Sequence, residues 1–144
     1  MTLVKTFLHT CKKYSQKTAV TDHSGAFTYE DLHQESIRCA SRLLSGVTGR
    51  NIGILLPNGK EFVVAFYGTL MAGKTPVPLN YLLSPAQLLY VIRDAGIDTV
   101  FTNNLFSPML GNQIKNTLLT EEKQLGASCN EGNIKQGDEE EQAA

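Results

Sequence analysis

The sequence lacks the patterns that mark disulfide frameworks, zinc sites and membrane spans. Its 144 residues include three cysteines, and none of them stands in a C-x-x-C pair. No run approaches the roughly 18 apolar residues of a membrane helix, and the segment from Met1 lacks the apolar core and cleavage site of a secretory signal. Cys11 and Cys39 fall on apolar faces of helical segments. The pattern predicts free thiols in a reducing compartment, and hence a cytoplasmic protein.

Familiar catalytic signatures are also missing. The sequence contains no G-x-S-x-G, H-E-x-x-H or G-x-G-x-x-G. His9, His23 and His33 lie far apart without ligand spacing, so surface positions are expected for them. Glu30 and Asp31 adjoin each other, but their place in the first turn of a predicted helix favours capping over acid catalysis. The sequence therefore indicates no catalytic residue and no metal ligand.

Charge is unevenly distributed along the chain. Residues 1–120 carry eleven basic and seven acidic side chains, a net charge of +4, whereas residues 121–144 carry two and seven, a net charge of −5. The basic excess is scattered, without the interleaved aromatics of a nucleic-acid surface, so nucleic acid is not an expected partner. We predict an α/β portion over residues 1–119 and an acidic disordered tail over 120–144. Cys129 falls in that tail, where negative charge disfavours a thiolate.

Apolar periodicity predicts an α/β fold. From Ile52 to Thr102 strand and helix patterns alternate, which predicts a partial parallel sheet of β-α-β units with right-handed crossovers and flanking helices. Two helices are expected before it, one on each side of a small hairpin around Ser24-Gly25. A further helix is predicted from Ser107-Pro108 through Leu119.

Capping residues and glycines mark the predicted helix ends. Thr28 with Asp31, and Ser84 with Gln87, predict capping boxes. Three glycines are expected to stop helices, as left-handed residues do: Gly46, Gly73 and Gly96.

Residues 68–75 match the phosphate-loop pattern G-x-x-x-x-G-K-[ST]. That chemistry needs a strand before the glycines and a helix beginning at the lysine, so that backbone N–H groups point at phosphate. Here a predicted helix precedes the match, and Pro76 and Pro78 impose an extended segment after it. We therefore interpret Gly68 as a packing position and Gly73 as a helix stop, with no phosphate site at Lys74.

Six short motifs, in order, resemble one family. They are Lys17-Thr18-Ala19-Val20-Thr21-Asp22, Phe27-Thr28-Tyr29-Glu30-Asp31-Leu32, Leu56-Pro57-Asn58, Thr75-Pro76-Val77-Pro78-Leu79-Asn80, Ser84-Pro85-Ala86-Gln87-Leu88 and Asp94-Ala95-Gly96. Together they are similar to the N-terminal portion of the large domain of adenylate-forming (AMP-binding) enzymes, above all the acyl-CoA synthetases, or fatty-acid–CoA ligases. The resemblance covers roughly the first hundred residues, a large share of a domain.

The resemblance implies a two-step reaction in the complete enzyme. A carboxylate attacks the α-phosphate of ATP, with Mg²⁺, to give an acyl-adenylate and pyrophosphate, and a thiol such as coenzyme A then takes the acyl group. The family's Ser/Thr/Gly-rich loop ending in Pro-Lys-Gly, its later acidic motif and its catalytic lysine are not found here. We therefore expect this chain alone to be inactive and to hold no cofactor.

Three interpretations stay open at this stage. The chain is a truncated product without activity, a docking subunit of a split ligase whose second chain carries the rest of the enzyme, or a non-catalytic interaction or regulatory module. The resemblance also implies that Phe62, Phe66 and Tyr67 could line an acyl channel, although packing of an amphipathic helix is favoured. Asn80 and Tyr81 follow a predicted strand, at the edge where open α/β sheets place ligands.

Overall fold

The computed structural model describes residues 2–120 of the chain. The predicted tail beyond Thr120 lies outside the described residues. No helix in the described part is long and apolar enough to cross a bilayer. The elements in chain order are α1 (Leu3–Lys13), β1 (Thr18–Asp22), β2 (Gly25–Thr28), α2 (Tyr29–Leu44), β3 (Asn51–Leu55), α3 (Lys60–Met71), β4 (Thr75–Pro78), α4 (Pro85–Asp94), β5 (Thr99–Thr102), a 3₁₀ turn (Ser107–Met109) and β6 (Asn116–Leu119).

Four strands form a parallel sheet in the order β4-β3-β5-β6. Phe101 of β5 lies between Ile54 of β3 and Leu118 of β6. The predicted parallel sheet of β-α-β units is therefore confirmed. The predicted hairpin is confirmed too, because β1 and β2 pair antiparallel as a separate ribbon.

The parallel sheet is covered on both faces, as such sheets usually are. Helices α1, α2 and α3 lie on one face, where Ile52, Ile54 and Phe101 belong to their apolar cluster. Helix α4 and the 3₁₀ turn lie on the other face, in a cluster with Leu55 and Val100. Alternate residues of the central strands thus serve opposite layers.

Most predicted helix ends are confirmed. Both capping boxes form, with reciprocal bonds between Thr28 and Asp31 and between Ser84 and Gln87. Gly73 and Gly96 have φ of 72° and 64°, as left-handed helix stops require. Helix α2 also ends two residues before its glycine, at Leu44, but Gly46 has no positive φ, so the left-handed conformation expected of it was wrong.

The helix predicted from Ser107 through Leu119 was also wrong. Only the 3₁₀ turn forms there, and Gly111, with φ 56°, directs the chain away from a helical path. Asn116–Leu119 then forms β6 and pairs parallel with β5. The pairing partner is distant in sequence, so helical spacing of a few apolar residues could not reveal it.

Candidate functional site

The carboxyl ends of the four parallel strands are the natural place for a ligand site. β3 leads through α3 to β4 on one side, and β4 leads through α4 to β5 on the other side. The strand order therefore reverses between β3 and β5, and open α/β sheets bind ligands outside the carboxyl ends at such a point.

Polar side chains at this reversal bond to the protein itself. The Thr102 hydroxyl is buried and donates to the Leu55 carbonyl oxygen at 2.9 Å. The Thr120 hydroxyl is placed 3.0 Å from Oε2 of Glu61, which stands in the first turn of α3. These bonds join neighbouring strands and α3. The two hydroxyl groups therefore do not point together toward a ligand.

The loops after β4 and β5 are held by asparagines. Asn80 Oδ1 accepts from the Leu82 N–H and Asn103 Oδ1 accepts from the Phe106 N–H, both at 2.9 Å. The Tyr81 ring stacks on Phe106 with centroids 4.9 Å apart. Asn80 and Tyr81 therefore do lie at the expected edge, where they shape two touching loops.

The phosphate-loop match has the wrong structure for phosphate. Lys74 follows the end of α3, and its Nζ donates to the Gly49 carbonyl oxygen at 2.7 Å. A Cβ added at Gly68 would lie 2.5 Å from Cys39 Cβ, so Gly68 allows α2 and α3 to pack closely. The packing role of Gly68 and the helix-stop role of Gly73 are both confirmed.

Replacing Lys74 by alanine is expected to leave nucleotide affinity unchanged. The ammonium group already binds a backbone carbonyl, whereas a phosphate-loop lysine makes a charged contact whose loss weakens binding by about tenfold or more. Calorimetric titration of both proteins with ATP and Mg²⁺ measures this. Micromolar binding by the parent protein that the substitution abolishes would restore the phosphate-loop interpretation.

The aromatic side chains of α3 pack within the helical layer. Tyr67 stacks on Phe7 of α1 with centroids 3.9 Å apart, and Phe66 meets Tyr67 edge-on at 5.5 Å. Phe62 stacks near Phe66 at 6.2 Å. All three α3 rings are partly buried against the core, which supports the packing interpretation.

The two cysteines in the described residues are unsuited to nucleophilic chemistry. Both are buried, free thiols. Burial and the nearby Glu30 carboxylate raise the pKa of Cys11 to about 11, and burial raises the pKa of Cys39 to about 12. At neutral pH both thiols are therefore protonated. Cys129 lies outside the described residues.

The histidines do not form a metal site. His9 and His23 are exposed and His33 is half-buried. Among residues 2–120, no three His, Cys, Asp or Glu side chains are grouped so that they could hold a metal ion.

The adjacent acids at the start of α2 have structural partners. Asp31 Oδ2 accepts from the Thr28 N–H at 2.8 Å, and Glu30 Oε1 accepts from Gln34 Nε2 at 2.7 Å. The capping interpretation of Asp31 is confirmed, and Glu30 adds a bond along the same helix.

Sequence reasoning missed the role of Asp22. Its carboxylate accepts from the Ser24 hydroxyl at 2.6 Å and from the Lys60 N–H at 2.9 Å. These bonds, led by that to the Ser24 hydroxyl, lower its pKa from 3.8 to about 2. Asp22 therefore ties the hairpin to the N-terminus of α3, and its contribution is lost only as pH falls from about 4 through 2. The Asp-x-Ser spacing of an Asx turn was the available signal.

Comparison with known proteins decides the family. The family model described as AMP-binding enzyme matches residues 7–143, nearly the whole chain. The chain belongs to the AMP-binding enzyme family. A long-chain-fatty-acid–CoA ligase of Bacillus subtilis is 28% identical over 109 residues, 74% of this chain and 20% of the relative. A benzoate–CoA ligase of Thauera aromatica is 28% identical over 102 residues, 66% of this chain and 19% of the relative.

Solved structures agree on the fold of this AMP-binding chain. A benzoate CoA ligase from Burkholderia xenovorans matches with a TM-score of 0.77 and 24% identity, over 84% of this chain and 26% of the ligase. The N-terminal domain of FACL13 from Mycobacterium tuberculosis matches with a TM-score of 0.71 and 21% identity, over 81% of this chain and 32% of that domain structure. The chain thus spans about a fifth of the curated relatives and carries part of the ligase fold.

Membership of the AMP-binding family implies ATP as a ligand, but the described residues of this chain do not form a site for it. The cations near the strands already have protein partners: Lys74 donates to the Gly49 carbonyl oxygen, Lys60 pairs with Glu35, and Arg42 donates to the Leu119 carbonyl oxygen at the end of β6. No carboxylate cluster among residues 2–120 suits Mg²⁺.

Proposed function

We propose that this chain is the N-terminal scaffold portion of an acid–thiol ligase and does not catalyse adenylation by itself. An asymmetry between the two edges of the parallel sheet carries the proposal. The N–H groups of Thr75 in β4 and of Leu79 just after it donate to the carbonyl oxygens of Arg50 and Ile54 on the β3 side, each at 2.9 Å. The alternate residues, Pro76 and Pro78, therefore face outward without an N–H group. Proline on an outer edge prevents the addition of another strand.

The opposite edge, formed by β6, carries no further strand within residues 2–120. The backbone N–H groups of Asn116 and Thr120 donate to carbonyl oxygens on the β5 side at 2.9 and 3.0 Å. The backbone N–H and C=O groups of the alternate residues, Thr117 and Leu119, therefore face away from β5. Arg42 Nη1 donates to the Leu119 carbonyl oxygen at 3.0 Å, which leaves Thr117 at the centre of the edge. Of the strands in residues 2–120, β6 is the outermost on this side. An edge of this kind accepts a further strand.

The two edges favour a docking role over the other interpretations. The part of the enzyme that would dock at β6 is either later sequence of the same polypeptide or a second chain of a split enzyme. It would supply the groups that stabilise negative charge on phosphorus and take up Mg²⁺. We place the protein in the cytoplasm, where its two buried free thiols would stay reduced.

The 144-residue protein is expected to exchange no labelled pyrophosphate into ATP with a long-chain fatty acid or with benzoate. The physical reason is that Lys74 is bonded to a backbone carbonyl oxygen, and that residues 2–120 hold no carboxylate cluster suited to the Mg²⁺ of the triphosphate. The assay uses Mg²⁺ and a heat-denatured sample for the background. Exchange above that background, reduced by Lys74→Ala, would show that the chain holds its own adenylation centre.

A further inference from the structure

Two leucines at the carboxyl edge of the sheet are strongly exposed. Leu82, after β4, is 82% exposed, and Leu105, after β5, is 75% exposed. No other large apolar side chain in residues 2–120 is as exposed as these two. Their neighbours Tyr81 and Phe106 stack on each other, which brings the two loops together. We call these four residues the loop patch.

The outward position of the two leucines is built into the loops. The Leu82 N–H is bound by Asn80 Oδ1, and Asn103 binds the N–H of Phe106 next to Leu105. Tyr81 and Phe106 themselves pack inward, against the apolar cluster beneath α4. The leucines are therefore presented on loops that the core anchors, so a partner would not have to order them.

The sequence around the loop patch carries no charge. Residues 75–92 and residues 99–114, eighteen and sixteen consecutive positions, contain no Asp, Glu, Lys or Arg, in a protein with 19% charged residues. Depletion of charge is what distinguishes the buried centre of a protein interface from ordinary surface. A membrane surface is the weaker match, because peripheral membrane binding draws on Lys and Arg.

We propose that the loop patch is the surface on which the remainder of the ligase's large domain packs, an inference that rests on the proposed function. The fold of this chain corresponds to 26% of a benzoate CoA ligase, so most of such an enzyme lies beyond the unit described here. Packing of that remainder would bury both leucines. The patch shares the carboxyl edge of the sheet with the end of β6, so one body can cover both.

Binding to a defined probe tests the proposal. The probe is the Bacillus subtilis long-chain-fatty-acid–CoA ligase without the segment that this chain matches, and its affinity for the full 144-residue protein is measured by calorimetry. The double variant Leu82→Ser, Leu105→Ser is expected to bind at least tenfold more weakly, about 1.4 kcal/mol. Its urea midpoint should not change, because both side chains already face solvent. Leu44→Ser, at a 53% exposed position on α2, is the matched control and should bind normally.

A second variant separates this inference from the proposed function. Thr117→Pro removes an N–H that faces away from β5, so it should weaken strand addition to β6 and leave the fold intact. If Thr117→Pro weakens binding and the double leucine variant does not, the docking role stands and the loop patch is rejected. If the parent protein does not bind the probe, both are rejected.

Two further outcomes would assign the patch to another occupant and so overturn the proposal. One is a dimer in sedimentation that the double leucine variant abolishes, which would identify a second copy of this chain. The other is co-sedimentation with phosphatidylcholine vesicles that depends on the two leucines, which would identify a lipid surface.

Discussion

Replacing Phe101 by alanine is expected to lower the free energy of unfolding by about 3–5 kcal/mol, the usual loss for a fully buried phenylalanine. Phe101 has no exposed surface and lies at the centre of the sheet, between Ile54 and Leu118. The guanidinium of Arg42 lies 5.8 Å from the ring centroid, so the same ring also anchors α2. Its removal leaves a cavity between the sheet and the helical layer.

Urea unfolding followed by circular dichroism measures this loss. A change of this size should lower the midpoint by roughly 1 M or more, given the usual dependence of unfolding free energy on urea. Tyr90→Ala is the control, since Tyr90 is 71% exposed on α4 and its truncation should change stability by less than about 0.5 kcal/mol. Equal midpoints for the two variants would mean that Phe101 is not in the core.

Replacing Gly68 by valine is expected to destabilise the protein by about 3 kcal/mol, the upper end of the range for overpacked cores. A Cβ at this position would lie 2.5 Å from Cys39 Cβ and 2.9 Å from the Ser36 carbonyl oxygen. The second of these atoms belongs to the backbone of α2, so α2 and α3 would have to separate. No χ1 rotamer of valine can relieve this clash, because rotation about χ1 does not move Cβ itself.

Alanine at the same position makes the test sharper. In a solvent-exposed helix, Gly→Ala stabilises by about 1 kcal/mol because alanine has the higher helix propensity. At Gly68 the sign should reverse, since the alanine Cβ makes the same close contacts. Gly46→Ala is the control, because nothing lies within 4 Å of an added Cβ there and its φ is not positive. A Gly68→Ala variant more stable than the parent would contradict the helix crossing.

Features that depend on neighbours in sequence were predictable. The capping boxes at Thr28 and Ser84 formed as expected, because each joins groups three residues apart. The stops at Gly73 and Gly96 followed from the freedom of glycine at positive φ. Gly46 shows the limit of that rule, since a glycine near a helix end permits a left-handed turn without requiring one.

Features that depend on distant partners were not predictable in the same way. The four residues of β6 contain two leucines, which suit a helix or a strand equally by spacing. Pairing with β5 decides between them, and it satisfies the backbone groups of an apolar segment. The role of Asp22 was missed for the same reason, because its bond to the Lys60 N–H spans 38 positions.

The sequence by itself determined the family, the parallel β-α-β order and the absence of a Pro-Lys-Gly loop. Each of these depends on local properties: short motifs, apolar periodicity, and the capping residues and glycines at helix ends. Only the tertiary structure decided what lies at the carboxyl edge of the sheet. It placed Leu82 and Leu105 in solvent on two loops joined by the Tyr81–Phe106 stack. Within residues 2–120 it also made β6 the outermost strand on one side of the sheet, while prolines block the β4 edge on the other. Exposure is a property of the assembled layers, since an apolar residue is buried or presented according to which distant elements reach it.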